Sequence, residues 1–247
     1  MRPALLTAAG IARSMAIYYG IPGRRERLAR FYAGFLKPGD LYVDIGAHVG
    51  HRVRAALAAG ARVVALEPQP SCRAVLERLY GGRPEVTISG EAIGAKAGRA
   101  SLRISRWNPT VATMDAGWME TVSRDPGFAR VRWDDEVEIP VTTLDALIAR
   151  HGLPAFVKID VEGSEAAALA GLGRALPHLS FEALPAAPEA ARACLDRLEA
   201  LGPHRYNLMR GEKAGFAFPD WVDAAAMAER LGRETRSGDV HARSGSA

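Results

Sequence analysis

The chain has 247 residues, 48% apolar and 24% charged, values of an ordinary globular protein that exclude a disordered or fibrous class. Lys plus Arg exceed Asp plus Glu by 32 − 28 = 4, too mild an excess to imply nucleic acid, and the two cysteines, Cys72 and Cys194, suit neither a disulfide framework nor a metal knuckle. No apolar run approaches the ~18 residues that span a bilayer, and Arg13 interrupts the mildly apolar start, so a cytoplasmic protein with no signal peptide and no membrane partner is expected.

Residues 1–37 read as an N-terminal helical cap, because Leu28, Phe31, Tyr32 and Phe35 recur at helical spacing and would bury one face. Lys37-Pro38-Gly39-Asp40 breaks the helix, and the main domain, 38–247, begins there. Residues 41–50 read as strand, glycine loop and helix, the helix covering 53–59. A second strand over 62–66 ends at Glu67-Pro68, a helix covers 71–79, and a third strand covers 86–89. This β-α-β-α-β order predicts an α/β protein built on an open, mostly parallel sheet. Residues 100–143 behave differently: Leu102 and Ile104 alternate like a strand, as do Val137, Ile139 and Val141, and a loop-rich span with Trp107, Trp118 and Trp133 lies between them. We read this span as an insertion near the acceptor site. A helix over 144–151, a strand over 155–159, a helix over 164–172 and a strand over 179–182 follow. The tail supplies a helix (189–201), a strand (206–209), a helix near 221–231, a last short strand (239–242) and a Ser/Gly-rich end expected to fray.

The glycine loop is a ligand cradle at the carboxyl end of a strand. A dinucleotide fingerprint would need glycines where the chain has His48 and His51, so that motif fails. What remains is Asp44, Gly46, Ala47, His48 and Gly50, with Glu67 ending the next strand, placed to meet two ribose hydroxyls. A nucleoside without a diphosphate fits this set, which points to S-adenosylmethionine. Asp44 would complement the cofactor's ammonium, and Glu91 or the backbone near Ala92 would meet the adenine.

The runs Val43-Asp44-Ile45-Gly46-Ala47-His48-Val49-Gly50, Ala65-Leu66-Glu67-Pro68, Thr142-Thr143-Leu144-Asp145 and above all Val157-Lys158-Ile159-Asp160-Val161-Glu162-Gly163-Ser164-Glu165 resemble the FkbM family of S-adenosylmethionine-dependent methyltransferases. The resemblance extends from about Lys37 to Arg243 and implies a class I methyltransferase (Rossmann-like) fold. That fold has a seven-stranded, mostly parallel sheet with helices on both faces and an antiparallel last strand. It also implies methyl transfer to oxygen, on a small-molecule, sugar, glycan or natural-product acceptor. His48 stands where the family usually has asparagine, which would make a contact there pH-sensitive.

Asp160 and Glu162 follow the fourth strand of the sheet and Glu182 ends the next, so these acids are expected on one rim. Asp160 and Glu162 are the candidate catalytic residues, with Asp160 also beside the cofactor. Either the carboxylates take the hydroxyl proton, or they bind a divalent cation that lowers its pKa. The plain structural alternative is a helix cap for Asp160, dipole contacts for Glu162 and Glu165, and a solvated Glu182. Lys158 either orients the rim acid or snorkels past a helix, and the arginines at 24–30 form a solvated face or grip an anionic acceptor. No metal ligands are assigned. A base methyltransferase acting on nucleic acid is disfavoured because Ile159-Asp160-Val161-Glu162 stands where a flipped-base loop of the Asn-Pro-Pro-Tyr type would be. A cofactor-binding protein of the same fold without turnover, or transfer to another acceptor type, remains the alternative.

Overall fold

A computed structural model describes residues 3–245; the outer ends of both predicted segments, 1–2 and 246–247, with the end of the tail expected to fray, lie outside the described residues. The predicted cap forms two helices, α1 (Pro3–Tyr19) and α2 (Arg24–Tyr32), at 67° to each other. The break falls at Gly20 to Gly23, where Gly23 takes φ +71° at the α2 N-cap. Leu28 and Tyr32 are buried on one face of α2, as the helical spacing requires. No single helix among the described residues is long and apolar enough to cross a membrane.

The chain then alternates β1 (Leu41–Ile45), α3 (His51–Ala58), β2 (Arg62–Leu66), α4 (Pro70–Tyr80) and β3 (Val86–Ser89). After the inserted segment come α6 (Leu144–His151), β7 (Phe156–Ile159), α7 (Glu165–Ala170), β8 (His178–Ala183), α8 (Pro188–Glu199), β9 (His204–Arg210), α9 (Ala224–Leu231) and β10 (Gly238–Ser244). The seven-stranded sheet has the order β3-β2-β1-β7-β8-β10-β9. β1, β2, β3, β7 and β8 pair in parallel, and β10 runs antiparallel between β8 and β9, as expected of the last strand.

Two-residue alternation divides the buried side chains between the faces. Val43, Ile45, Val157, Ile159, Leu179 and Phe181 pack one face against Leu144, Leu169, Leu195 and Leu198. Tyr42, Val63 and Phe156 pack the other against Leu28, Tyr32, Val53 and Leu76. This second face carries a polar row in register across four pairings: Asp44 beside Lys158, Lys158 beside Ser180, Ser180 beside His241 and His241 beside Asn207. All five are at most 1% exposed, which is costly for charges unless they are paired.

The segment predicted over 100–143 belongs to a small sheet that begins before it, β4 (Ala92–Ile93), β5 (Gly98–Ile104) and β6 (Asp135–Thr142), in the order β4-β6-β5, with α5 (Ala116–Val122) between β5 and β6. The two alternating runs do pair, antiparallel, as Leu102 opposite Val137 and Ala100 opposite Ile139. α1 lies against this segment: Arg13 donates to Asn108 at 3.0 Å, and a Cβ at buried Gly10 would come 2.2 Å from the Arg106 carbonyl.

Candidate active site

The strand order reverses between β1 and β7, so their carboxyl ends diverge into a crevice. A cavity of about 280 Å³ opens there. Asp44, Gly46, Ala47, His48, Glu67, Glu91, Ala92, Asp160 and Glu162 all line it, together with Glu182. Gly50 does not line it. Its φ of +82° makes the N-cap of α3, and a Cβ there would come 2.5 Å from Leu76 and 2.7 Å from Tyr80, so its glycine is required by packing.

Gly46 sits at the tightest point. Its φ is +80°, and a Cβ would fall 1.8 Å from the Asp160 carbonyl oxygen, so any side chain would pry β1 from β7. The loop does not offer its amides to a ligand in the way a glycine cradle suggests. Gly46 and Ala47 both donate to the Leu66 carbonyl at 3.0 Å, Gly50 donates to Ala47, and His48 N–H donates to Glu67 Oε2 at 2.7 Å. The loop therefore contributes space and shape, while side chains supply the polar contacts. His48 takes φ +49°, a left-handed conformation in which Asn and His are both enriched, so the His-for-Asn difference has a backbone reason. Burial pushes the imidazole down to about 4, which leaves it neutral near pH 7 and removes the pH-sensitive contact expected there.

Glu67 holds the cradle from the second strand: Oε1 accepts from Gln69 N–H at 2.8 Å and Oε2 from His48 N–H. Burial pushes its carboxyl up to about 7 in spite of these donors. Each oxygen retains a lone pair for a ligand. Asp44 is 1% exposed, and its Oδ2 has no hydrogen-bond partner. Glu91 accepts from Ser89 at 3.0 Å and pairs with Arg150 at 2.8 Å, so its carboxylate is already engaged and Ala92 is the freer of the two predicted adenine contacts.

The rim acids meet. Carboxylate oxygens of Asp160, Glu162 and Glu182 lie within 4.8 Å of one another. Lys158 orients the first of them: its Nζ is 2.6 Å from Asp160 Oδ2 and 3.5 Å from Asp239 Oδ1, and its side chain is 2% exposed. Burial pulls the ammonium down, but Asp160 and Asp239 more than compensate and hold it above the ordinary lysine range. Burial and then the neighbouring acids push Glu162 and Glu182 well above the carboxylate range. The helix-cap alternative is not what forms. Ser164 is the N-cap of α7, and Glu165 closes the loop by accepting from Val161 and Gly163 N–H at 2.9 and 3.0 Å. Glu162 is held at φ +52°, with its carbonyl accepting from Thr113 Oγ1 at 2.6 Å. Trp118 packs over Gly163, where a Cβ would come 2.3 Å from its ring. The inserted segment thus clamps the loop after β7, and Trp118 and Trp133 serve packing: Trp118 is 5% exposed, and Trp133 Nε1 donates to the Val111 carbonyl.

Arg52, Glu212 and Asp239 line the cavity without having been singled out, and Tyr18 lines it with them. Buried Arg52 reaches Asp239 at 2.9 Å and Glu212 at 3.3 Å. Burial pushes Glu212 up, but Arg52 outweighs it and leaves the carboxyl below its ordinary range. Tyr18 stacks on His51 at 4.3 Å and meets His48 edge-on at 5.5 Å.

The residues fit S-adenosylmethionine: Asp44, with an unpartnered buried carboxylate oxygen, and side-chain-free Gly46 both line the cavity, and Glu67 keeps acceptor capacity. The sheet order, its single antiparallel strand and the cavity at the β1/β7 reversal define a class I S-adenosylmethionine-dependent methyltransferase. The methyltransferase FkbM domain matches residues 44–227, and the chain belongs to that family. No curated protein sequence matches it. Among solved structures, a TehB-like SAM-dependent methyltransferase from Corynebacterium glutamicum is 11% identical, covering 94% of this chain and 93% of that one at a TM-score of 0.46. Aeropyrum pernix fibrillarin, with natively bound S-adenosyl-L-methionine, is 11% identical over 87% of this chain and 72% of that one, at a TM-score of 0.43. Precorrin-6y C5,15-methyltransferase from Geobacter metallireducens is 13% identical over 88% and 87%, at a TM-score of 0.42.

Proposed function

We propose that this methyltransferase acts on a hydroxyl of a sugar, glycan or natural-product acceptor, with Asp160 and Glu162 as its catalytic carboxylates. The observation that carries the reading is the meeting of Asp160, Glu162 and Glu182 at the cavity, with oxygens within 4.8 Å of one another. A hydroxyl is a poor nucleophile until its proton has somewhere to go, whereas an amine presents a lone pair directly. Bound S-adenosylmethionine supplies an electrophilic methyl on a sulfonium. Asp44 takes the ammonium of that donor, Glu67 its ribose hydroxyls, and the backbone near Ala92 its adenine.

Asp160, fixed by Lys158, stands beside Glu162 and raises its proton affinity, while Glu162 accepts the acceptor's hydroxyl hydrogen bond and sets its position. Glu162, whose proton affinity is raised by burial and by Asp160, takes the proton as the new bond forms. Its clamp by Thr113 and Trp118 keeps the carboxylate aimed at the cavity rather than at solvent. A divalent cation between the same three acids is the second reading, because an all-oxygen donor set suits magnesium or manganese.

A screen for tritiated methyl transfer over sugars, glycosides and polyketide alcohols tests the proposal. Asp160→Asn and Glu162→Gln are each expected to lower turnover ~10²-fold or more with donor affinity kept. Full turnover in either variant on an identified acceptor would sink the assignment. Turnover abolished by chelation and restored by magnesium would favour the second reading over the first.

A further inference from the structure

The turn between α1 and α2 and the outer face of α3 enclose a second cavity of about 150 Å³, lined by Tyr19, Arg24, Arg25, Glu26 and Arg54 and sharing Tyr18 and His51 with the active-site cavity. The Tyr18–His51 stack, with ring centroids 4.3 Å apart, is therefore the border the two cavities share. The sides differ in charge. The active-site lining sets eight carboxylates against Arg52 and Lys158, whereas the second cavity sets three arginines against Glu26 alone.

These arginines are under-neutralised. Arg25 reaches Glu26 only at 4.0 Å. Arg24 donates to the Ile17 carbonyl at 3.0 Å and lies 5.6 Å over the Tyr18 ring. Arg54 lies 5.3 Å over the Tyr19 ring, and no carboxylate among the described residues pairs with it. Gly23 at the N-cap of α2 offers no side-chain cap, so the positive end of that helix adds to the same field. Tyr18 connects the sides: burial and then Glu212, Asp160 and Glu162 hold its phenol above the ordinary range, so its hydroxyl senses the acid rim while its ring faces Arg24.

We propose that the second cavity seats a phosphate-class oxyanion carried by the acceptor, whose hydroxyl lies on the acid side of the Tyr18–His51 stack; the acceptor is thus a phosphorylated sugar or a close analogue. Planar guanidiniums match phosphate oxygens two at a time, and the fork is pre-organised here by the Tyr18 and Tyr19 rings. An anionic acceptor approaching the carboxylate rim unaided would be repelled. Holding its charge beyond the shared Tyr18–His51 border lets a neutral hydroxyl alone face Asp160 and Glu162. This assignment of the acceptor rests on the hydroxyl-methylation reading, but the phosphate pocket itself does not.

The test is calorimetry on the full chain saturated with S-adenosylhomocysteine at low ionic strength, with glucose 1-phosphate, glucose and inorganic phosphate as probes. Glucose 1-phosphate is expected to bind at least tenfold tighter than inorganic phosphate, and glucose not to bind at the same concentration. Arg54→Ala, and the pair Arg24→Ala with Arg25→Ala, are expected to weaken the ester roughly 10- to 100-fold, the range for losing a charge-assisted contact, with S-adenosylhomocysteine affinity unchanged. Ester binding that is absent, or indifferent to all three arginines, overturns the pocket. Inorganic phosphate binding as tightly as the ester overturns its assignment to the acceptor. Arginine-dependent ester binding without methyl transfer to any sugar phosphate would instead count against the hydroxyl reading.

Discussion

Lys158→Met removes the one cation among the described residues that pairs with Asp160. The ammonium lies 2.6 Å from Asp160 and 3.5 Å from Asp239 at 2% side-chain exposure. With an effective dielectric near 20, these pairs are worth about 6 and about 5 kcal/mol of gross attraction, most of which offsets the cost of burying the charge. What the variant exposes is the remainder, an uncompensated buried acid, for which breaking a buried pair costs about 3–5 kcal/mol. The lower end applies, because Arg52 still reaches Asp239 at 2.9 Å and Asp160 is 32% exposed at its side chain. Urea denaturation at pH 8 should therefore show a loss of about 3 kcal/mol. Lys158→Arg should keep most of the stability at pH 8, and adding Asp160→Asn to Lys158→Met should recover part of the loss through the coupling of the two sites. A loss below about 1 kcal/mol would show that the buried ion pair does not hold this rim.

The other consequences are equally direct. Gly46→Ala should destabilise by about 3 kcal/mol or more in the same assay, since the left-handed conformation alone costs about 1–2 kcal/mol and the methyl would meet Asp160 at 1.8 Å; a change below about 1 kcal/mol would contradict the close approach of β1 to β7. His178 and His241 share a buried contact at 2.9 Å, and burial holds both well below the ordinary 6.5. The unfolded chain binds protons there that the fold refuses, so their contribution is fully present above about pH 6.5 and is lost as pH falls, by up to about 1.4 kcal/mol per unit for each ring. His241→Asn should flatten that acid limb, and an unaltered limb would refute its origin. Glu67 shows the opposite sign: its carboxyl is raised to about 7, so its ionisation costs stability as pH climbs from 4.5 to 7, and Glu67→Gln should remove that cost while weakening the donor. A donor titration unaffected by Glu67→Gln would remove Glu67 from the ribose site.

The parts of the architecture written in local pattern were legible. The strand at 62–66 and the helix at 144–151 were placed at their observed bounds, because alternation, helical spacing and the Thr143 cap are properties of adjacent residues. The glycine motif and the acids after β7 line the cavity, and they were legible for the same reason. What escaped depends on contacts between distant segments. Glu182 could equally have been a solvated strand end until the sheet order set β8 beside β7. Asp239 and Arg52 become partners only when β10 returns next to β8 and α3 packs over that face. The amides of residues 46–48 looked available from the motif, and it is the Leu66 carbonyl and the Glu67 carboxylate, about twenty residues on, that occupy them. Tyr18 came from a helix whose direction across the cavity is set by its contact with the inserted segment, at Gly10 and Arg13.

Calorimetric titration with S-adenosylmethionine tests the central claim most directly, that the β1/β7 cavity is the donor site of a working methyltransferase. One molecule is expected to bind per chain, with Asp44→Ala weakening it roughly 10- to 100-fold because the ammonium loses its carboxylate. Binding that is absent in the wild type, or unchanged in Asp44→Ala, would contradict the account.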